Sequence, residues 1–463
     1  MTEQLKLKLN DSKATRWGAL VIVAFTMMAA YYVNDVVAPL KTMLETDLAW
    51  SSTDFGFFTG GYSFLNVFFL MLIWGGLILD RFGIRFTGKL ATILMVGGTA
   101  LEYYAMTGLA GADATLFGIN EIFGYKTGVF VAFAGYSIFG VGAEVAGITV
   151  SKIIAKWFKG KELATAMGVQ VALARIGSQA GYAVAIPLAR AFGISTPVLL
   201  GLVLLLGGMI AFFVFAVMDK KLDKQMEAAA IAAGTEDEEE KFSFKDVKNI
   251  LVNPGFWLIA LLCVLFYSCV FPFQKFASEL MIIKYGINEN VAGTFAGLPA
   301  LGALILTPVF GGFIDKRGKS ASIMLLGSAM LICVYFIYAI PDINYWLVAI
   351  VLMIILGIAF SLVPSAMWPA VAKIFPVSQL GTAYALIFFI QNIGLWGIPT
   401  LIGWVLDAYC ISGKKPDGTN MYDYTVPMCI FTGIACLSLI VALLLKKADK
   451  KYGYKLEEPN IQK

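Results

Sequence analysis

The chain has 463 residues, of which 59% are apolar and 14% charged, with a formal net charge of +4 and no histidine. Soluble domains carry roughly 45 to 50% apolar and about 25% charged residues, so most of this chain faces something other than water. Histidine-based metal or haem ligation is excluded, and any proton carried within the chain must ride on a carboxylate.

About 20 predominantly apolar residues cross a bilayer as a helix. Twelve such runs start near Trp17, Phe55, Leu90, Gly128, Leu163, Ser195, Phe256, Val291, Ala321, Tyr345, Leu380 and Thr425. The first follows the polar stretch MTEQLKLKLNDSKATR and is long enough to span, so it is expected to stay in the mature chain. Basic residues gather at every second connection, at Arg81, Arg85 and Lys89, at Lys156, Lys159 and Lys161, at Lys316, Arg317 and Lys319, and at Lys446, Lys447 and Lys450. They read as topology signals placing both termini in the cytoplasm, and nothing suggests a nucleic-acid surface.

Between the sixth and seventh runs lies the longest polar segment, containing GTEDEEEK and then FSFKDVKNILV, which has amphipathic helical spacing. The expected organisation is a cytoplasmic N-terminus (1–16), a six-helix lobe (17–218), a cytoplasmic linker (219–253), a second six-helix lobe (254–446) and a cytoplasmic C-terminus (447–463). The acidic run reads as a solvated linker.

Internal repetition supports that division. GLILDRFG at 76–83 matches GGFIDKRG at 311–318, a constant offset of 235. AKWFKGKELATA at 155–166 matches AKIFPVSQLGTA at 372–383, an offset of 217. The first pair, with Gly76, Asp80, Arg81 and Gly83 answered by Gly311, Asp315, Lys316 and Gly318, resembles the signature loop of the major facilitator superfamily. Two copies at equivalent places imply that all-α fold, with gating or structural roles for these eight residues. The glycines would permit close helix approach.

Two charges lie deep in apolar runs. Glu144 is 12 residues before Lys156 and Arg175 is 12 after Leu163, which places both about 18 Å into the bilayer. A charge at helix centre costs about 2.5 to 3.5 kcal/mol on insertion scales and normally faces a bundle interior or a water-filled cavity. The two are expected to meet at one level, either as a structural lock between helices or as a ligand site. The offset of 217 carries them to Ser361 and Asn392, so the second half does not repeat the pair.

Other candidates surround this level. Tyr62, Asn66, Phe271, Trp368, Gln391 and Asn392 sit where helix breaks would open a cavity. Asp35 reads either as a helix-end residue or as a pocket residue. Lys275 and Glu279 read as a local i,i+4 pair, with gating or ligand contact as the alternative. Glu102 reads as a packing partner. Of the six cysteines, none has zinc spacing, and Cys410 and Cys429 flank an outer loop where they could pair. No metal or cofactor is expected, and no enzyme-type nucleophile and base arrangement is present.

Within the superfamily, KWFKGKELATAMGVQVALARIGS, CVLFYSCVFPF and MWPAVAKIFPVSQLGTAYALIFFIQNIGL are similar to the branch containing the lysosomal dipeptide uniporter of animals. That resemblance implies facilitated movement of dipeptides, with Glu144 meeting the peptide amine, Arg175 its carboxylate and Trp368 lining the side-chain space. An accessory membrane subunit is associated with the animal protein. The segment QKFASEL departs from the pattern expected of that branch. The expected partners are thus a small zwitterionic solute and the bilayer, in a cell membrane or a lysosomal-type one. The rival readings are an organic-anion or monocarboxylate carrier, in which Glu144 only balances charge, and a non-transporting receptor or scaffold. Uniport and proton-linked movement are both compatible with the sequence.

Overall fold

The computed structural model of the protein describes residues 8–110, 114–158, 161–233, 244–415 and 417–459. The helices of the first half are α1 (Lys13–Val36), the short α2 (Lys41–Asp47), α3 (Ser52–Phe68), α4 (Met71–Thr107), α5 (Thr127–Trp157), α6 (Leu163–Phe192) and α7 (Thr196–Ala233). Then follow α8 (Phe244–Val252), α9 (Pro254–Tyr285), α10 (Glu289–Ala296), α11 (Leu298–Arg317), α12 (Ser320–Ala339), α13 (Trp346–Ile374), α14 (Val377–Tyr409) and α15 (Thr425–Tyr452). Two small antiparallel hairpins interrupt the helical pattern, β1 (Glu121–Ile122) with β2 (Tyr125–Lys126), and β3 (Ile411–Lys414) with β4 (Asn420–Tyr422).

Among the described residues, nine helical segments are long and apolar enough to cross a bilayer, and ten when α3 and α4, bent by 58° at their junction, count as one span. The expected twelve are reached only when α4 is also divided at Gly83, whose φ of 74° breaks the helix, and when α6 is counted despite its polar Gln170, Arg175, Ser178 and Gln179. Helix α7 continues to Ala233, past the expected start of the linker at 219. The amphipathic segment forms α8, whose Ile250 is buried while Val252 is exposed. The acidic run and Lys159 lie outside the described residues.

In the first half α1 packs on α6 and α7, α4 on α5 and α7, and α3 on α5. In the second, α12 packs on α13 and α15, α11 on α13, and α9 on α14 and α15. The halves meet along α3 with α14, and along α6 with α10 and α11. Lipid tails are as apolar as leucine, so helices associate here by close packing, which favours small residues at the seams. A Cβ on Gly140 would lie 2.0 Å from the Tyr62 carbonyl oxygen, and one on Gly56 would lie 2.4 Å from that of Pro399 on the opposite half.

The end of the bundle carrying both termini, here the near end, is tied within each half. Arg16 pairs with Glu162 at 2.8 Å, and the buried Asp219 accepts from Lys156 at 2.8 Å and from the Trp157 indole at 2.9 Å. In the second half the C-terminal tail straps across the helix ends. Glu457 accepts from the Ser322 backbone N–H at 2.8 Å, Lys319 and Ser320 donate to the carbonyls of Glu457 and Leu456, and Lys373 donates to the Glu458 carbonyl at 2.6 Å. Gly318, at φ 70°, lies directly beneath this tail, where a Cβ would come within 2.4 Å of Glu458.

The repeated loops behave differently from the close approach expected of them. A Cβ on Gly76 or Gly311 would meet nothing within 4 Å, so neither glycine is used for helix contact in this conformation. Asp80 pairs with Lys152 at 3.0 Å, while Arg81 and Lys316 are exposed. Cys410 and Cys429 are both free thiols, so the pairing that the sequence left open does not form: Cys410 is buried at the end of α14, whereas Cys429 is exposed on α15.

Replacement of Gly140 by alanine should push α5 away from α3 and lower stability by about 1 to 3 kcal/mol. Thermal unfolding of purified protein in detergent reads this directly, and an unchanged melting temperature would show that the seam has slack.

Candidate functional site

The deep charges converge on a cavity of about 240 Å³ between the halves. Glu144 on α5 and Arg175 on α6 both line it, and both are half-buried, so neither points into lipid. Antiparallel α5 and α6 bring residues equidistant from the basic turn to one depth, as the spacing requires. The expected ion pair is absent, however. Glu144 accepts a hydrogen bond from the Tyr62 hydroxyl on α3 at 3.0 Å. The Arg175 guanidinium instead lies over the rings of Phe360, 4.9 Å from its centroid, and Tyr31, at 5.6 Å. Among the described residues no ion pair or hydrogen bond reaches Arg175. A planar guanidinium can rest on aromatic faces while its donor fork stays unused, which an ammonium cannot do as well.

The opposite wall is aromatic. Phe271 stacks on Tyr267 at 5.5 Å, and Trp368 stacks on Phe388 at 4.8 Å. The Trp368 indole donates to the Tyr267 hydroxyl at 3.2 Å, and Tyr384 donates to the Trp368 carbonyl at 3.0 Å. Pro369 follows Trp368 within α13 and has no N–H to donate to the Ser365 carbonyl four residues earlier. Gln391 and Asn392 complete this side; Gln391 accepts from the Cys263 thiol at 3.6 Å and Asn392 donates to the Phe388 carbonyl at 2.9 Å. The repeat is visible here, because Asn392 lines the cavity as Arg175 does, whereas Ser361 only bonds back to the Gly357 carbonyl in its own helix.

Lys275 closes the cavity on the side away from the termini. Its ammonium donates to the Asn34 carbonyl at 2.5 Å, to Asp35 at 3.2 Å and to the Tyr136 hydroxyl at 3.3 Å. Three acceptors exhaust its three donors, so it serves as a bridge between α9 and α1 with none left for a ligand. Asp35, 6% exposed, also accepts from Ser178 and from the Asn34 amide, and is therefore a buried residue at the end of α1 that bonds the cavity-lining Lys275 without lining the cavity itself. The local Lys275–Glu279 pair does not form. Spacing of i,i+4 puts both on one face of α9, but that face meets the other half, and Glu279 bonds there to Lys41 at 2.5 Å.

Asn66 and Glu279 stand apart from the cavity lining. Asn66 is 1% exposed within α3, and Glu102 is fully buried in α4 beside α5. Tyr31, Asn34, Tyr136 and Tyr267 line the cavity without having been singled out in the sequence. Tyr267 precedes Phe271 by four residues on α9, a helical spacing that signals a shared face.

Comparison with known proteins places this arrangement. Residues 20–399, and again 276–458, match the Major Facilitator Superfamily. The chain is 29% identical over 454 residues to the human protein named lysosomal dipeptide transporter MFSD1, covering 95% of this chain and 88% of that one. The zebrafish (Danio rerio) protein of the same name is 26% identical over 441 residues, covering 93% and 86%. Among solved structures, the nucleoside transporter NupG superposes with a TM-score of 0.68 at 12% identity, covering 92% of this chain and 98% of that one. The D-xylose–proton symporter gives 0.66 at 15% identity, covering 93% and 97%. These two likenesses carry the fold alone. The chain is a multi-pass membrane transporter and belongs to the major facilitator superfamily.

Proposed function

We propose that the protein moves dipeptides or similar zwitterions by alternating access, with the near end facing the cytoplasm. The observation that carries this is the placement of Glu144 and Arg175 on one cavity without an ion pair between them. Two opposite charges left unneutralised by each other at membrane depth are costly, and a solute bearing an amine and a carboxylate would match both at once. Tyr62 holds the Glu144 carboxylate in position, and the two rings hold the guanidinium, so neither group needs to reorganise to meet a ligand. The aromatic wall of Phe271, Trp368 and Phe388 offers the ligand's side chain an apolar surface with few polar demands, which suits a carrier of mixed dipeptides. The names of the MFSD1 relatives support the same substrate class.

Arg175→Ala should weaken binding of a dipeptide at least about tenfold, or about 1.4 kcal/mol, without lowering the melting temperature of the unliganded protein. Binding measured by thermal shift or calorimetry decides this, and wild-type affinity would remove Arg175 from the site.

A dipeptide with an acetylated amine or an amidated carboxylate should compete at least about tenfold less well than the free zwitterion in reconstituted liposomes. A profile in which simple organic acids compete and free dipeptides do not would establish an anion carrier instead. Ligand binding without flux would establish a receptor.

Uniport and proton coupling separate on one further variant. Were Glu144 to carry a proton during the cycle, Glu144→Gln uptake would be insensitive to external pH over the range where wild-type uptake varies. Wild-type uptake that does not vary with pH would overturn proton coupling.

A further inference from the structure

The first turn of α3 holds an unusual solution to a general problem. A helix begins with backbone N–H groups that have no partner inside the helix. Ser51 and Asp54 form a reciprocal capping box: the Ser51 hydroxyl accepts from the Asp54 N–H at 3.0 Å, and the Asp54 carboxylate accepts from the Ser51 N–H at 2.9 Å. The N–H groups of Ser52 and Thr53 remain. Both are taken by one carboxylate from the opposite half, Asp407 near the end of α14, at 3.3 and 2.6 Å. Asp407 in turn accepts from the Tyr422 hydroxyl of strand β4 at 2.7 Å.

A compact set of four charges lies beside this cap, drawn from both halves. Lys41 bonds Glu45 on its own helix and Glu279 across the divide, each at 2.5 Å, and lies 4.7 Å from the centre of the Tyr422 ring. Lys415, next to strand β3, approaches Glu45 at 3.6 Å and Glu279 at 3.7 Å. Tyr424 donates to Glu279, and Ser52 donates to Glu45 at 3.1 Å. The hairpin between α14 and α15 is therefore fastened to the first half at its turn through Lys415 and along β4 through Tyr422.

We infer that Asp407, seated by Tyr422 on the N-terminus of α3, is a latch that holds the end away from the termini closed and must release each time that end opens. A carboxylate on two N–H groups at a helix N-terminus gains both charge-assisted hydrogen bonds and the favourable end of the helix dipole. The two N–H groups and the carboxylate belong to different halves, so any movement that parts α3 from α14 at this end breaks both bonds together, while the Tyr422 bond stays with Asp407. Asp407 is half-buried, so water can replace the lost partners and keep the step reversible. The inference rests on the alternating-access reading but not on the identity of the solute.

The test measures the distance between spin labels at Thr46 and Asp342, exposed positions on the two halves at this end, in protein whose six cysteines are replaced by serine. Asp407→Asn keeps the shape and removes the charge, and should raise the ratio of long to short distances about tenfold. Tyr422→Phe should move it in the same direction by less. Thermal unfolding confirms that each variant is folded, and if Asp407→Asn is not, Tyr422→Phe decides alone. Distance distributions that match the unsubstituted protein in every folded variant overturn the latch. A shift in the distances in a protein that fails to bind dipeptides would sink the substrate proposal and leave the latch standing.

Discussion

A charge within a bilayer has to be met by another charge, by hydrogen bonds or by water, because hydrocarbon supplies none of these. In this protein that requirement is met in two contrasting ways. Away from the termini two lysines are fully engaged: Lys275 spends all three donors on Asn34, Asp35 and Tyr136, and Lys41 lies between Glu45 and Glu279. In the cavity the charges are held but not neutralised by one another, with Glu144 on Tyr62 and Arg175 on two rings. The engaged lysines join the halves and the cavity charges face the space between them. One end of the molecule is locked while its centre remains receptive.

Backbone packing supports this division. Gly56 and Gly403 let α3 and α14 touch close to Asp407, since a Cβ on Gly403 would come within 2.3 Å of the Ser52 carbonyl oxygen. On the side of the termini, Gly76 and Gly311 have open space around them, and the paired charges described there lie within one half, as in Arg16 with Glu162. Contacts that cross between the halves therefore gather at one end, as expected of a rocking carrier stopped with its other end open.

The helical, multi-span architecture was legible from hydropathy and from two repeats at constant offsets. The depth of Glu144 and Arg175 was legible too, because 12 residues on each side of a turn is a fixed length of helix. Their separation was not. Sequence gives the level of a side chain but not its direction, and the rings that draw Arg175 aside come from α1 and α13, far away in the chain. The same reason explains Lys275 and Glu279: local spacing favours a pair, and partners brought by the fold from the other half win both residues. Asp407 carried no signal, because a carboxylate near a helix end is ordinary until the helix it caps is known. The hairpin partnering Asp407 was equally silent, since β3 and β4 are too short to register as alternating strands.

The tail beyond α15 has a mechanical effect. By bonding to the start of α12 and the end of α13, residues 454–459 turn three separate helix ends into one braced rim. The first half has a different feature, part-way along a span and not at its rim: the 58° elbow between α3 and α4. Bending during each stroke would thus be taken up at Phe69 and Leu70, inside a span of the first half, while the second half stays stiff at its rim.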